Sequence, residues 1–206
     1  MRRDHPTQNH GRGKEPRPAL LASTHDAADM AGRDVELARR CIHAVIDGAE
    51  RGHLPLFAAT LGLDYVRFGA LPGVARRGLP AAHRLLHARL LDEWRPAQFA
   101  PLLELLLAHR VHDDPLTEAL AHAIACACFG ERHLWHDLGL GGRTEVSALL
   151  ACHFDALHRA NTDRLPWKRF LFLTLGHAQG IAHLLPPGCS ACHERQACME
   201  KTSWQS

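Results

Sequence analysis

The chain has 206 residues, of which 46% are hydrophobic and 22% are charged, and its formal net charge is +2. These values are typical of one globular domain with a buried core, and the charge is too small to indicate nucleic-acid binding by itself. No apolar run approaches the roughly 18 residues that cross a membrane, and the N-terminus has no apolar segment of the secretory kind. We therefore expect a cytoplasmic protein with no nucleic-acid and no membrane partner.

The N-terminal part of the chain differs in composition from the rest. Residues 1–32 are rich in Arg, Pro, Gly and His and show little apolar periodicity. Such a composition cannot bury enough surface to offset the entropy lost on ordering, so we predict a disordered tail there. From Asp34 to Gly52, apolar residues recur every three or four positions, which predicts a first helix. Residues 33–206 are predicted to form a single helical domain.

The remaining chain contains a series of amphipathic segments separated by Gly, Pro and Asp. Helical pieces are predicted at 54–61, 79–94, 99–110, 116–129, 133–138, 144–158 and 165–176. Leucine is by far the commonest residue, whereas the β-branched residues that favour strands are few and there is one Tyr. The sequence therefore predicts an all-α fold, and the small-residue face of 116–129 predicts that this helix is central.

Three cysteines stand close together towards the C-terminus, as Cys189, Cys192 and Cys198, at a C-x2-C-x5-C spacing. Two prolines and a glycine come directly before them, so a helix cannot continue there and the chain can fold around a metal. Thiolates at short spacing ligate iron–sulfur clusters or zinc. Structural zinc sites usually contain two short cysteine pairs, and this sequence has no second pair, which favours a cluster. We expect the binding loop at about 181–200.

Four further cysteines are predicted to fill the core. Cys126 and Cys128 are separated by one residue of a predicted helix, so their side chains point in different directions and cannot share a metal. Cys41 and Cys152 stand in predicted amphipathic helices and are assigned to the core as well.

Two histidine pairs have a spacing that permits chelation. They are His83 with His87 and His133 with His136. Neither pair has a carboxylate at helical spacing, and the chain is rich in histidine throughout. We therefore interpret the first pair as part of a solvated face and the second as structural.

Several segments in the second half of the chain carry specific motifs in a fixed order. These are HLWHDLGL at 133–140, RTEVSALL at 143–150, WKRF at 167–170 and the terminal cysteine motif. In this order they resemble the NifQ family, with the best similarity from about residue 102 to 198. The resemblance implies an iron–sulfur carrier that binds molybdenum for synthesis of the nitrogenase iron–molybdenum cofactor. It implies molybdate or another molybdenum source as supplier, and the cofactor-assembly scaffold with its associated iron protein as partners.

The cysteine motif departs from the family pattern at its first position. The family pattern is C-x4-C-x2-C-x5-C, and its first cysteine falls on Leu184, while a further family cysteine is absent at Gly176. Three interpretations are open. Three thiolates can hold a cluster of three irons with molybdenum at the fourth corner, or His183 or His193 replaces the missing ligand, or cluster binding is weakened.

Two alternatives concern the same region. The three cysteines and one histidine could instead form a structural zinc site in a helical interaction protein. The pair Lys168 and Arg169, just before the loop, could attract molybdate, dock an acidic partner or form a solvated face. No nucleophile elbow, P-loop, zinc-protease or dinucleotide motif is present, so we do not expect an enzyme.

Overall fold

The computed structural model describes residues 24–71, 86, 89, 91, 93–191 and 195–200. Within these ranges the chain is helical and contains no strand, which confirms the all-α prediction. No helix in the part of the chain that the structure describes is long and apolar enough to span a bilayer. Residues 1–23 of the predicted tail and most of the predicted helix at 79–94 lie outside the described residues.

The described elements follow one another with short connections. They are α1 (Thr24–Glu50), a 3-10 helix (Leu56–Thr60), α2 (Tyr65–Gly69), α3 (Phe99–Ala108), α4 (Pro115–Ala127), α5 (Leu134–Asp137), α6 (Arg143–His153), α7 (Asp155–Ala160), α8 (Trp167–Gln179), a second 3-10 helix (Pro187–Ala191) and α9 (Arg195–Glu200).

Helix α1 begins at Thr24, earlier than the start predicted at Asp34. The segment before Asp34 lacks apolar periodicity but is rich in alanine, which has the highest intrinsic helix propensity. Periodicity reports the burial of a helix face and therefore misses a helical turn that contributes no face to the core.

Helix α4 is central, as predicted. Its residues from Ala119 onwards are buried, and it packs against α1 and α3. The alanines along it allow the neighbouring helices to approach closely. Four aromatic rings pack next to it in tilted and edge-on geometry, with centroids 5.3 to 6.2 Å apart, in the set Phe57, Phe99, Phe129 and Phe172.

The predicted helix at 144–158 is divided into α6 and α7. Phe154 takes a non-helical backbone conformation, with φ −141° and ψ 50°, and its side chain is fully buried. The break therefore occurs where a large aromatic ring enters the core. A pattern of apolar residues alone could not predict it, because both halves continue the same apolar periodicity.

Cys41, Cys126 and Cys128 are buried in the core, which confirms their predicted role. Burial raises the pKa of the Cys41 and Cys128 thiols to about 12, so both are neutral packing groups. Cys152 departs from the prediction: it is only half-buried, and its thiol donates to Asp34 Oδ2 at 3.4 Å.

Candidate functional site

A cleft of about 130 Å³ lies between the start of α8, the loop that leads into α5, the start of α6 and the C-terminal segment. Cys189 and Cys198 both line it, so the structure brings together two of the three predicted thiol ligands. Cys192 and His193 lie outside the described residues. His183 is exposed, has a positive φ of 57° and is not part of the cleft lining.

The second 3-10 helix brings Cys189 to the cleft by packing closely on the loop before α5. A Cβ atom on Gly188 would lie 3.1 Å from the Cα of Glu131 and 3.1 Å from its carbonyl oxygen. A residue with a side chain would thus force the two segments apart. Glycine before the first cysteine is needed for this close approach.

Arg169 connects the start of α8 to the last cysteine. Its side chain is almost fully buried, and Nη1 donates to the backbone carbonyl of Cys198. The same nitrogen lies 3.8 Å from Cys198 Sγ. A guanidinium at this distance favours the thiolate form of a cysteine, which is the form that ligates metals. The contact also attaches α9 to the first turn of α8.

Lys168 has a different environment from its neighbour. Its ammonium donates to the Asp137 carboxylate at 2.7 Å and to the carbonyls of Gly130 and Arg132 at 3.0 and 2.5 Å. An ammonium has three donors, and these three acceptors satisfy all of them. Lys168 therefore holds the loop before α5 in place, and its charge is already paired within the protein.

Asp137 is the acceptor that organises this loop. Its carboxylate is fully buried, and Oδ1 accepts a second hydrogen bond from Arg132 Nε at 3.0 Å. A Cβ atom on Gly130 would lie 2.4 Å from Asp137 Oδ2 and 2.5 Å from Leu54 Cδ2, so only glycine fits there. Sequence reasoning missed both residues; the available signal was an acidic residue in an otherwise apolar helix.

Two tryptophans of the sequence motifs flank the cleft. Trp167 is buried, and its Nε1 donates to Ser147 Oγ at 3.0 Å. Trp135 is partly buried, and the rings of His133 and His136 stack on it with centroids 6.2 and 4.6 Å away. This stacking agrees with the structural interpretation of the histidine pair.

The two positions where the cysteine pattern is interrupted are neighbours in the fold. A Cβ atom on Gly176 would lie 2.8 Å from the Cβ of Leu184 and 2.7 Å from the carbonyl oxygen of Ile181. Leu184 is partly buried and packs against the hydrophobic core. Apolar packing therefore occupies both positions, and neither side chain can ligate a metal.

The donors fit a metal or cluster as far as the described residues extend. Cys189 and Cys198 share one cleft, but no set of three metal-binding side chains occurs within the described part of the chain. A third donor from the cleft would have to come from residues 192–194, which contain Cys192 and His193.

The family model NifQ matches residues 40–200 of this chain. A protein NifQ homolog of Sinorhizobium fredii is 35% identical over 132 residues, which are 62% of this chain and 56% of the relative. Protein NifQ of Azotobacter vinelandii is 35% identical over 108 residues, covering 52% of this chain and 55% of the relative. Protein NifQ of Rhodobacter capsulatus is 30% identical over 157 residues, or 69% and 86%.

The matched region thus spans about half the length of the first two relatives. No solved structure matches the chain.

Proposed function

Since the chain belongs to the NifQ family, we propose that it carries molybdenum for synthesis of the nitrogenase iron–molybdenum cofactor. In this proposal Cys189, Cys192 and Cys198 ligate an iron–sulfur cluster, and molybdenum from molybdate or another source is the cargo. The recipient is the cofactor-assembly scaffold with its associated iron protein. The chain acts as a cytoplasmic carrier and performs no catalytic turnover.

The observation that carries this proposal is the position of Cys189 and Cys198 on one cleft. They are nine positions apart in sequence and belong to different helical elements, so their shared cleft is a result of tertiary packing. Buried structural cysteines such as Cys126 have raised pKa values because of burial, and such thiols are poor ligands. The two cleft cysteines are instead partly accessible and lie beside a cation.

The surroundings of the cleft support a three-thiolate site over one completed by His183. Leu184 and Gly176 are packed against each other, and His183 is exposed away from the cleft lining. A cluster held by thiolates is anionic, so the cations around the cleft would lower its electrostatic energy. His193 remains the candidate for a fourth protein ligand.

Metal analysis after anaerobic purification tests this proposal. We expect iron and sulfide with broad visible absorption in the wild type, and loss of both in Cys189→Ser and Cys198→Ser. Cys152→Ser is the matched control, because Cys152 is half-buried and does not line the cleft. This variant should retain the wild-type iron content.

The alternative with the same ligands is a structural zinc site. One zinc per chain in a colourless wild-type protein would contradict the carrier proposal and favour the zinc site. Iron contents that are equal in Cys189→Ser, Cys198→Ser and Cys152→Ser would contradict both assignments, because the cleft cysteines would then ligate nothing.

A further inference from the structure

The cleft beside the cysteines has an excess of positive charge. Its lining contains one carboxylate, Glu131, among the described residues, and the cationic side chains Arg132, Arg143, Lys168 and Arg169. Asp137, which lies behind the lining, binds both Lys168 and Arg132 and so offsets one further charge. Two positive charges remain when the thiols are protonated.

Two of the arginines occupy positions that are unfavourable for a cation. Arg143 is the first residue of α6, and Arg169 lies in the first turn of α8. The N-terminus of a helix carries partial positive charge, so a cation there is repelled, whereas an anion is attracted. Both arginines line the same cleft, where a bound anion would reverse the sign of this interaction.

The guanidinium group suits a particular class of anion. Its N–H donors form a planar fork that binds two oxygens of a carboxylate or a tetrahedral oxyanion at once. A cleft of about 130 Å³ admits a small inorganic ion but is far smaller than the usual site for an organic ligand. The charge excess of two corresponds to a dianion.

We propose that Arg143 and Arg169 form a binding site for the molybdate dianion in this cleft, next to Cys189 and Cys198. This inference rests on the proposed function, because that function makes molybdenum the cargo. Arg169 contacts Cys198, so an anion held by Arg169 lies next to a sulfur atom. The site binds the oxyanion through charge and hydrogen bonds, without the cysteines as ligands.

Equilibrium dialysis of the full, metal-free chain against molybdate tests the site. Arg143→Gln should bind molybdate at least about tenfold more weakly, because a charge-assisted hydrogen bond is lost. Arg143 is exposed, and removing a cation from a helix N-terminus should not unfold the protein. Arg39→Gln, an exposed arginine outside the cleft, is the matched control and should bind like the wild type.

Two further measurements separate this inference from the proposed function. The double variant Cys189→Ser with Cys198→Ser should lose iron but keep molybdate affinity within about twofold, because the oxyanion is held by arginine. Arg143→Lys should recover part of the affinity, since it restores the charge without the planar fork.

Three results would overturn the site. They are no molybdate binding by the wild type at about 1 mM, equal binding by Arg143→Gln and the wild type, and loss of binding in the cysteine double variant. A chain that binds molybdate through Arg143 but never holds iron would leave the site intact and would contradict the proposed cluster carrier.

Discussion

At the scale of single residues, the buried pair of Lys168 and Asp137 determines the shape of the cleft. The lysine reaches from α8 to two carbonyls and one carboxylate of the segment before and within α5. Both side chains are almost completely removed from solvent. Charges in such surroundings are stable only as long as each keeps its partner.

Asp137→Asn should therefore lower the free energy of unfolding by about 3–5 kcal/mol, because it leaves the Lys168 charge buried without a counter-ion. Lys168→Met should cost less, since Arg132 still binds the carboxylate. Urea denaturation followed by circular dichroism measures both changes. Asp47→Asn is the control: its partner Arg51 lies 3.9 Å away, and both are more than half exposed.

The control change should cost less than about 1 kcal/mol. A similarly small change for Asp137→Asn would show that the buried pair does not hold the loop.

Lys168 also shows why the sequence predicted only part of the site. The cysteine spacing predicted a common location, and Cys189 and Cys198 do share a cleft. The sequence pattern WKRF treated Lys168 and Arg169 as one cationic pair, whereas Lys168 is bonded internally and Arg169 contacts Cys198. Adjacent residues on a helix point about 100° apart, and their partners come from segments far away in sequence.

At the scale of elements, α4 shows how local chemistry sets the start of a helix. Asp114 precedes the helix, and its Oδ1 accepts hydrogen bonds from the amides of Leu116 and Thr117 at 2.9 and 3.1 Å. Its Oδ2 accepts from the Thr117 hydroxyl at 2.7 Å. Pro115 follows at the first helical position, where no amide hydrogen is needed. This start could be predicted from sequence because all its contacts are local.

Asp114→Ala should destabilise the protein by about 1 kcal/mol, because two amides at the start of the central helix lose their acceptor. Asp113→Ala is the matched control, since Asp113 is exposed and pairs only with Arg110 among its printed contacts within this turn. Thermal unfolding of both variants gives the comparison. A larger loss of stability in Asp113→Ala than in Asp114→Ala would contradict the capping role.

The boundaries that sequence missed depend on contacts outside the element. The break at Phe154 accompanies burial of its ring among distant residues, and α2 forms where a turn was predicted because Asp64 accepts from the amides of Val66 and Arg67. The second case has a local signal, an aspartate before an apolar pair. The first has none.

At the scale of the whole molecule, buried histidines couple the fold to pH. His122 lies on the central helix, and its Nδ1 is 2.9 Å from the carbonyl oxygen of Leu61, which joins α4 to the first 3-10 helix. Burial lowers the pKa of His122 below its ordinary value of 6.5, and burial followed by the charge of His112 lowers the pKa of His153. Both rings are therefore neutral in the folded state near pH 7.

The free energy of unfolding should be nearly constant above about pH 6.5 and should fall as the pH is lowered towards the folded-state pKa values. The unfolded chain takes up protons first, because its histidines have the higher pKa. Denaturant titrations between about pH 7.5 and pH 5.5 measure this slope, and His122→Gln should reduce it. His43→Gln, at an exposed position on α1, should leave the slope unchanged.

A slope that is the same in His122→Gln and the wild type would show that His122 does not contribute.

The cleft is assembled from parts of the chain that are far apart in sequence, namely the loop around Arg132, the start of α8 and the segment from Pro186 to Cys198. These parts meet only in the folded chain, so an occupant of the cleft binds the native state and not the unfolded one. Any such occupant raises the free energy of unfolding by mass action. Release of the occupant therefore leaves a less stable chain, and a protease that cleaves unfolded protein would remove the empty form faster than the loaded form.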